Sequence, residues 1–318
     1  MKDKVRDMKQ GPKEFTRRMY AILDRFLKQY PGERVTVRQL FYRLVGSGEM
    51  DPAPCPLKDK EGHPLKPRQY PPPGPFANTK YRYDFLIRQA GDARELGEVD
   101  WDRFVDLLKK PIFTPGWDSP QELLQAAVEQ YHRNRQEGQP LLIELWAEKN
   151  ALKGLLEPIA EQFSITCLNS MGQFSKTVLR EAVDRFEEDG RPVLILYVGD
   201  WDPSGKESIE GNIVKKLRMY SHQRLNPEVR RIAITKDQAL KRKLPPAMAK
   251  EKDTSTKRFI EKHGKEAWEV EALSPTDLRK IIESAIKDAM DNEVYQSALD
   301  REAEDIARLT AMIKRMGR

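Results

Sequence analysis

Hydrophobic residues recur at helical spacing in the first third of this chain and fall into unbroken runs further on. Phe15, Met19, Ile22, Leu23, Phe26, Leu27 and Tyr30 form one stripe, which predicts an amphipathic helix ended by Pro31-Gly32. Thr36 opens a second helix, and Gln39 three residues on completes a capping box. Val37, Leu40, Phe41, Leu44 and Val45 make its apolar face. Tyr42 falls at the edge of that face, one turn after Arg38 on the more polar side. Between 51 and 76 nine prolines interrupt every pattern, so an irregular insertion is expected there. Another helix is expected from Thr79 to Leu96, weakened at Gly91, while Glu98 to Val105 suits a wing or a short helix. Ser119, Pro120 and Glu122 supply N-cap, N1 proline and capping-box glutamate. The helix they start is expected to end near Gly138 and to bridge two domains.

From Pro140 the period changes. Strands at 141–147, 164–169, 193–199 and 231–235 alternate with helices at 149–162, 175–189 and 204–218. That pitch implies a parallel, right-handed βαβ sheet. A basic segment follows, then a short strand at 267–273 and two C-terminal helices, the first capped by Ser274-Pro275. Val193 to Val198 shows no polar alternation, as expected of a parallel strand buried on both faces.

That strand runs into Asp200 and Asp202, whose side chains point the same way while the chain stays extended. Glu148 follows the 141–147 strand, and open α/β sheets bind ligands at the carboxyl ends of their strands. Three carboxylates at one mouth suit a hard cation, with Mg²⁺ the natural occupant and Mn²⁺ a substitute. Asp202 before Pro203 equally suits a helix N-cap. Lys149 either lines the site or starts a solvated helix. Gly172 and Ser175 either cradle a phosphate or form a plain turn.

Charge points to a partner. The chain carries 56 Lys and Arg against 50 Asp and Glu, a net +6. Ten basic and four acidic residues lie between Lys236 and Lys265, so this segment alone holds a surplus as large as the whole chain's. Lys241, Arg242, Lys243, Lys250 and Lys252 are the candidate contacts to a polyanion, either as a binding stripe or as a solvated face. Cys55 and Cys167 are far apart, which argues against a disulfide framework or structural zinc and suits a reducing cytoplasm. No apolar run approaches the roughly 20 residues of a membrane span, and the charged start lacks a signal-peptide core. A cytoplasmic protein is expected, nucleoid-associated if prokaryotic.

Glu148-Lys149 after the first strand and Asp200, Asp202, Pro203 and Gly205 after the third resemble the motifs of a Toprim domain. Met171 to Arg180 is similar to the glycine-containing turn between those motifs. Arg38, Phe41 and Tyr42 are similar to the arginine–aromatic–tyrosine signature of an upstream winged-helix domain. Together the four resemble the family of the topoisomerase VI A subunit, which includes the meiotic double-strand-break protein, although Gln39 stands where that family usually has Asp. The resemblance implies a winged-helix domain over 1–112 with a proline-rich insertion at 51–77, and a linker helix over 113–138. It implies a Toprim domain over 139–318 with a parallel Rossmann-like sheet, the basic segment 236–265 and a helical C-terminal extension. It further implies double-stranded DNA as substrate, a homodimer, and a 5′-phosphotyrosyl intermediate made by Tyr42 of one protomer working against the metal site of its partner.

The chemistry stands beside that resemblance. Tyrosine needs activation at neutral pH, and Arg38 could stabilise its phenolate or hold the scissile phosphate. Glu148 could be a metal ligand or a general acid/base. No GxxxxGK[ST] or Bergerat-type box is present, so no ATP site is expected in this chain and strand passage would need a separate ATPase subunit. Two other readings are open: a Toprim nuclease that cleaves by hydrolysis, and a non-catalytic DNA-binding module. Three converging carboxylates disfavour the last, since their charge repels phosphate without a metal.

Overall fold

The computed structural model describes residues 14–29, 34–50, 75–104, 116–248 and 254–316. They form two compact units. The proline-rich stretch, Lys250 and Lys252 lie outside the described residues.

The first unit holds the described residues up to 104 together with Ala239–Ala247 and Glu271–Ser274. Its helices are α1 (Glu14–Lys28), α2 (Val37–Gly46) and α3 (Lys80–Glu95). Thr36 and Gln39 form the expected capping box at the start of α2. Met19, Leu23, Phe26, Leu40, Phe41, Leu44 and Leu86 make one core, which Ala272 joins and against which Leu244 packs. Residues 98–104 take the short-helix alternative, a 3₁₀ turn at Trp101–Arg103, and Phe104 then bridges Val35.

The second unit is α/β. Strands β1 (Leu142–Ala147), β2 (Thr166–Asn169), β3 (Val193–Val198) and β4 (Glu228–Ala233) form a wholly parallel sheet in the order β2-β1-β3-β4. Every residue of β1 and β3 is buried, Glu144 being the one charged residue among them. On one face Trp146 packs between Phe174 and Phe186, at 4.9 and 6.4 Å. Glu144 on the same face is neutralised by Arg185 and accepts a hydrogen bond from the Trp146 indole at 2.7 Å. The other face buries Ile143, Leu145, Leu194 and Leu196.

Helix α4 (Pro120–Gln130) starts at the Ser119 cap but stops eight residues short of Gly138. Tertiary bonds override helix continuation here. The Arg133 guanidinium and the Tyr131 hydroxyl both bond Asp305, at 2.7 and 2.8 Å, and Arg135 bonds Glu302 at 2.7 Å. Helices α5 (Lys153–Phe163) and α6 (Lys176–Asp189) are the crossovers flanking β2. After β3 the chain makes a π-helical stretch, Ser204–Glu210, before α7 (Gly211–Tyr220). Helices α8 (Lys236–Lys241) and α9 (Thr254–His263) lie in the basic segment, with Arg242 and Lys243 just after the first, and α10 (Pro275–Ala289) and α11 (Asn292–Met316) follow. The strand expected at 267–273 is reduced to Glu266–Ala267. Trp268 exchanges backbone bonds with Trp201 instead, and Val270–Ala272 closes into a turn. No helix among the described residues is long and apolar enough to cross a membrane.

Candidate functional site

Strand order decides where a crevice opens. The chain leaves β1 for β2 on one side and leaves β3 for β4 on the other, so its direction reverses between β1 and β3. Ligands bind at the carboxyl ends of strands at such a point. Ala147 pairs with Val198 in register, which sets Glu148 beside Gly199 and Asp200.

Glu148 and Asp200 are 5% and 8% exposed. Oε1 of Glu148 accepts the Asp200 backbone N–H at 2.6 Å, and Oε2 accepts the Tyr197 hydroxyl at 2.5 Å. Asp200 Oδ1 accepts the Val270 N–H at 2.8 Å, while Oδ2 pairs with the Lys149 ammonium at 2.8 Å. Asp202 does take a capping role, its Oδ1 accepting the Gly205 N–H at 2.6 Å. Two glycines make this packing possible. A Cβ at Gly199 would lie 2.8 Å from Glu148 Oε2, and one at Gly205 would lie 2.4 Å from the Asp200 carbonyl oxygen and 3.1 Å from Glu148 Oε2.

Burial governs the electrostatics. It pushes the Asp200 carboxyl up to about 7, aided by the Glu148 charge and resisted by Lys149 and the Val270 amide. Glu148 is also raised, first by burial; the Tyr197 hydroxyl and the Asp200 amide pull it back, and Asp202 adds to the rise. Tyr197 is raised by burial and by Glu148, so it remains a donor.

These residues fit a hard divalent cation by chemistry: the side-chain donors are all carboxylate oxygens and the two central ones are buried. No group of three or more such side chains among the described residues forms a ready metal cage. Magnesium does not require one, since it commonly keeps several waters and binds through one or two carboxylates plus substrate phosphate.

Three supporting residues escaped the sequence reading. Tyr197 looked like one more aromatic in a buried strand. Arg231, its side chain 5% exposed, pairs with Glu210 at 2.6 Å and donates to the carbonyls of Gly199 and Asp200 at 2.7 and 3.0 Å. It lies in β4, and its partners, strand-end carbonyls and Glu210, leave no local mark in the sequence. Glu269 pairs with Lys149 at 3.0 Å, across 120 positions of chain, and no local pattern marks it.

Within the first unit the structure brings Arg38 and Tyr42 together, the guanidinium lying 6.0 Å from the ring centre. Arg38 also pairs with Glu271 at 3.4 Å and lies 5.2 Å from the Tyr83 ring. Tyr42 is buried, 5% exposed, in the core of the first unit, and Phe41 beside it packs on Tyr83 of α3. The Tyr83 phenol is raised, chiefly by burial, with Arg38 opposing. Of the basic candidates, Lys241 and Lys243 are exposed, Arg242 is half-buried, and all three belong to the first unit. Ser175 caps α6 through the Val178 N–H, and the Gly172 N–H donates to the Glu148 carbonyl at 2.9 Å. No protein-family model matches the chain, and no curated protein matches it either.

Proposed function

We propose that this protein is a magnesium-dependent DNA-cleaving enzyme of the Toprim type, resembling the topoisomerase VI A subunit. The observation that carries the reading is the buried Glu148–Asp200 pair at the switch point of a parallel sheet, with Asp202 two residues further on. A pure binding module gains nothing from burying that charge.

When bound, magnesium would supply charge neutralisation at the leaving 3′ oxygen or a neighbouring phosphate; Glu148, Asp200 and Asp202 would hold it. Tyr197 and the Asp200 amide fix the Glu148 carboxylate, and Arg231 fixes the backbone that carries Asp200. Under this reading the winged-helix part presents Tyr42. Its Oη forms a bond to the 5′ phosphorus, the bond from phosphorus to the 3′ oxygen breaks, and the phenolic proton ends on that oxygen. Arg38 stabilises the developing charge. DNA lies along the basic segment, and two copies of the chain supply one tyrosine per strand.

Hydrolysis on the same acidic site is the second reading, and the burial of Tyr42 favours it, because attack requires the ring to be uncovered. The two are separated by digesting supercoiled plasmid radiolabelled within its strands with Mg²⁺ or Mn²⁺, comparing wild type with Tyr42→Phe on denaturing gels. A label that migrates with protein through SDS and vanishes in the variant supports transesterification. Unmodified 5′ phosphates from both proteins replace it with hydrolysis. No cleavage by wild type, with Asp200→Ala binding DNA as wild type does, overturns both.

A further inference from the structure

We propose that Glu269 is a positioning residue for metal loading: it retains the Lys149 ammonium when a divalent ion takes Asp200 Oδ2. The inference rests on the metal reading above and adds a residue to it. Lys149 Nζ lies between two carboxylates, 2.8 Å from Asp200 Oδ2 and 3.0 Å from Glu269 Oε2. Glu269 does not reach this point by chance of a mobile side chain. The residue before it is tied down by Trp268 exchanging backbone bonds with Trp201 at 2.8 and 2.9 Å, and the residue after it by the Val270 amide on Asp200 Oδ1 at 2.8 Å. Both anchors lie on the turn that carries Asp200 and Asp202.

An ammonium and a divalent cation compete for one carboxylate oxygen, because two positive charges there stand a few ångströms apart in a partly desolvated place. The arriving metal therefore drives Lys149 off Asp200. The Lys149 and Asp200 side chains are 21% and 11% exposed, so full release of the ammonium to solvent would forfeit an interaction that is only weakly screened. With Glu269 beside it, Lys149 changes partner by a small side-chain movement and stays near the site, where it can face a phosphate. Lys149 thus offsets the charge of Asp200 before loading, and Glu269 makes the exchange easy.

The test is Mn²⁺ binding to the full chain without DNA, followed by EPR of the free ion. Glu269→Gln is expected to weaken binding about tenfold, and Lys149→Met to tighten it about tenfold, the scale of a partly buried ion pair. Glu269→Gln made in the Lys149→Met background should then change affinity less than about twofold, since its effect acts through the ammonium. An equal loss in both backgrounds would reduce Glu269 to a distant negative charge and overturn the inference, as would no loss in either. Asp200→Asn separates the two layers. If it abolishes Mn²⁺ binding while Glu269→Gln is silent, only the role of Glu269 falls; if it binds Mn²⁺ like wild type, the metal reading falls too.

Discussion

The Tyr197 hydroxyl donates a 2.5 Å hydrogen bond to Oε2 of Glu148. Tyr197 is the last residue but one of the buried strand β3 and Glu148 follows β1, so this bond ties the carboxyl ends of the two central strands together. It also opposes the burial that raises the Glu148 carboxyl. Tyr197→Phe removes one oxygen and leaves Oε2 buried without that donor. The expected cost is about 1–3 kcal/mol in unfolding free energy, the usual penalty for a stranded buried acceptor. Cleavage should need roughly tenfold more Mg²⁺, the equivalent of about 1.4 kcal/mol. Urea unfolding and the Mg²⁺ dependence of plasmid cleavage measure the two effects separately.

Gly205 in the turn and Gly91 in α3 give a sharper contrast. At Gly205 the obstacle to a Cβ is backbone, the Asp200 carbonyl oxygen at 2.4 Å, which no rotamer change can clear. Gly205→Ala should therefore displace Asp200 and abolish metal-dependent cleavage, with a stability loss of about 2 kcal/mol or more. Gly91 lies inside α3, and a methyl group added there would meet nothing within 4 Å. Gly91→Ala should stabilise the protein by about 0.5–1 kcal/mol through helix propensity. Thermal unfolding of both variants checks the pair, and a loss at Gly91 would contradict the packing described for that helix.

The sheet was legible because Val193–Val198 is a continuous apolar run and Leu142–Ala147 is one broken only at Glu144, as strands buried on both faces need. Glu148 and Asp200 were legible for the same reason: they are the polar residues at which those runs stop. Period and capping cannot report partners brought in by tertiary structure. Helix α4 ends early because Tyr131, Arg133 and Arg135 bond residues about 170 positions away. Segment 267–273 has the composition of a strand, yet Trp268 is captured by Trp201 and the chain turns at Val270. Helical periodicity set Tyr42 at the edge of the apolar face of α2, whereas it is buried in the core of the first unit with Arg38 near its ring. Arg231 and Glu269 belong to the same blind spot, since their partners are strand-end carbonyls and a lysine far along the chain.

Asp200 gives the metal-free protein an unusual pH dependence. Its carboxyl titrates at about 7 in the folded chain and near 3.9 when unfolded. Between those values the folded state holds a proton that the unfolded state has lost, so stability from this group falls as pH rises. Asp200→Asn keeps an acceptor for the Val270 amide and cannot ionise. In EDTA at pH 8 the variant should be more stable than wild type by roughly 2–4 kcal/mol. The gap should close progressively as pH falls from about 7 to 4, and saturating Mg²⁺ should narrow it at pH 8 by stabilising wild type alone. Denaturant titrations at several pH values follow it directly; a gap that widened on acidification would mean Asp200 is ionised throughout.

The basic triplet tests where DNA lies. Lys241 ends α8, and the Leu244 N–H returns to the Ala239 carbonyl at 2.9 Å to close the helix. Lys243 takes a left-handed conformation with φ 53°, so replacement by alanine would mix strain with charge loss. Lys241→Gln, Arg242→Gln and Lys243→Asn together remove the charge, and asparagine tolerates that conformation. Each phosphate contact contributes about 0.9 to the slope of log K against log salt on duplex DNA. If all three side chains meet phosphates, the slope should fall by about 2.7, with unfolding free energy nearly unchanged because Lys241 and Lys243 are exposed. Fluorescence anisotropy of a labelled duplex across a salt series reads the slope. An unchanged slope with unchanged stability would move the DNA surface away from the α8 end of the basic segment.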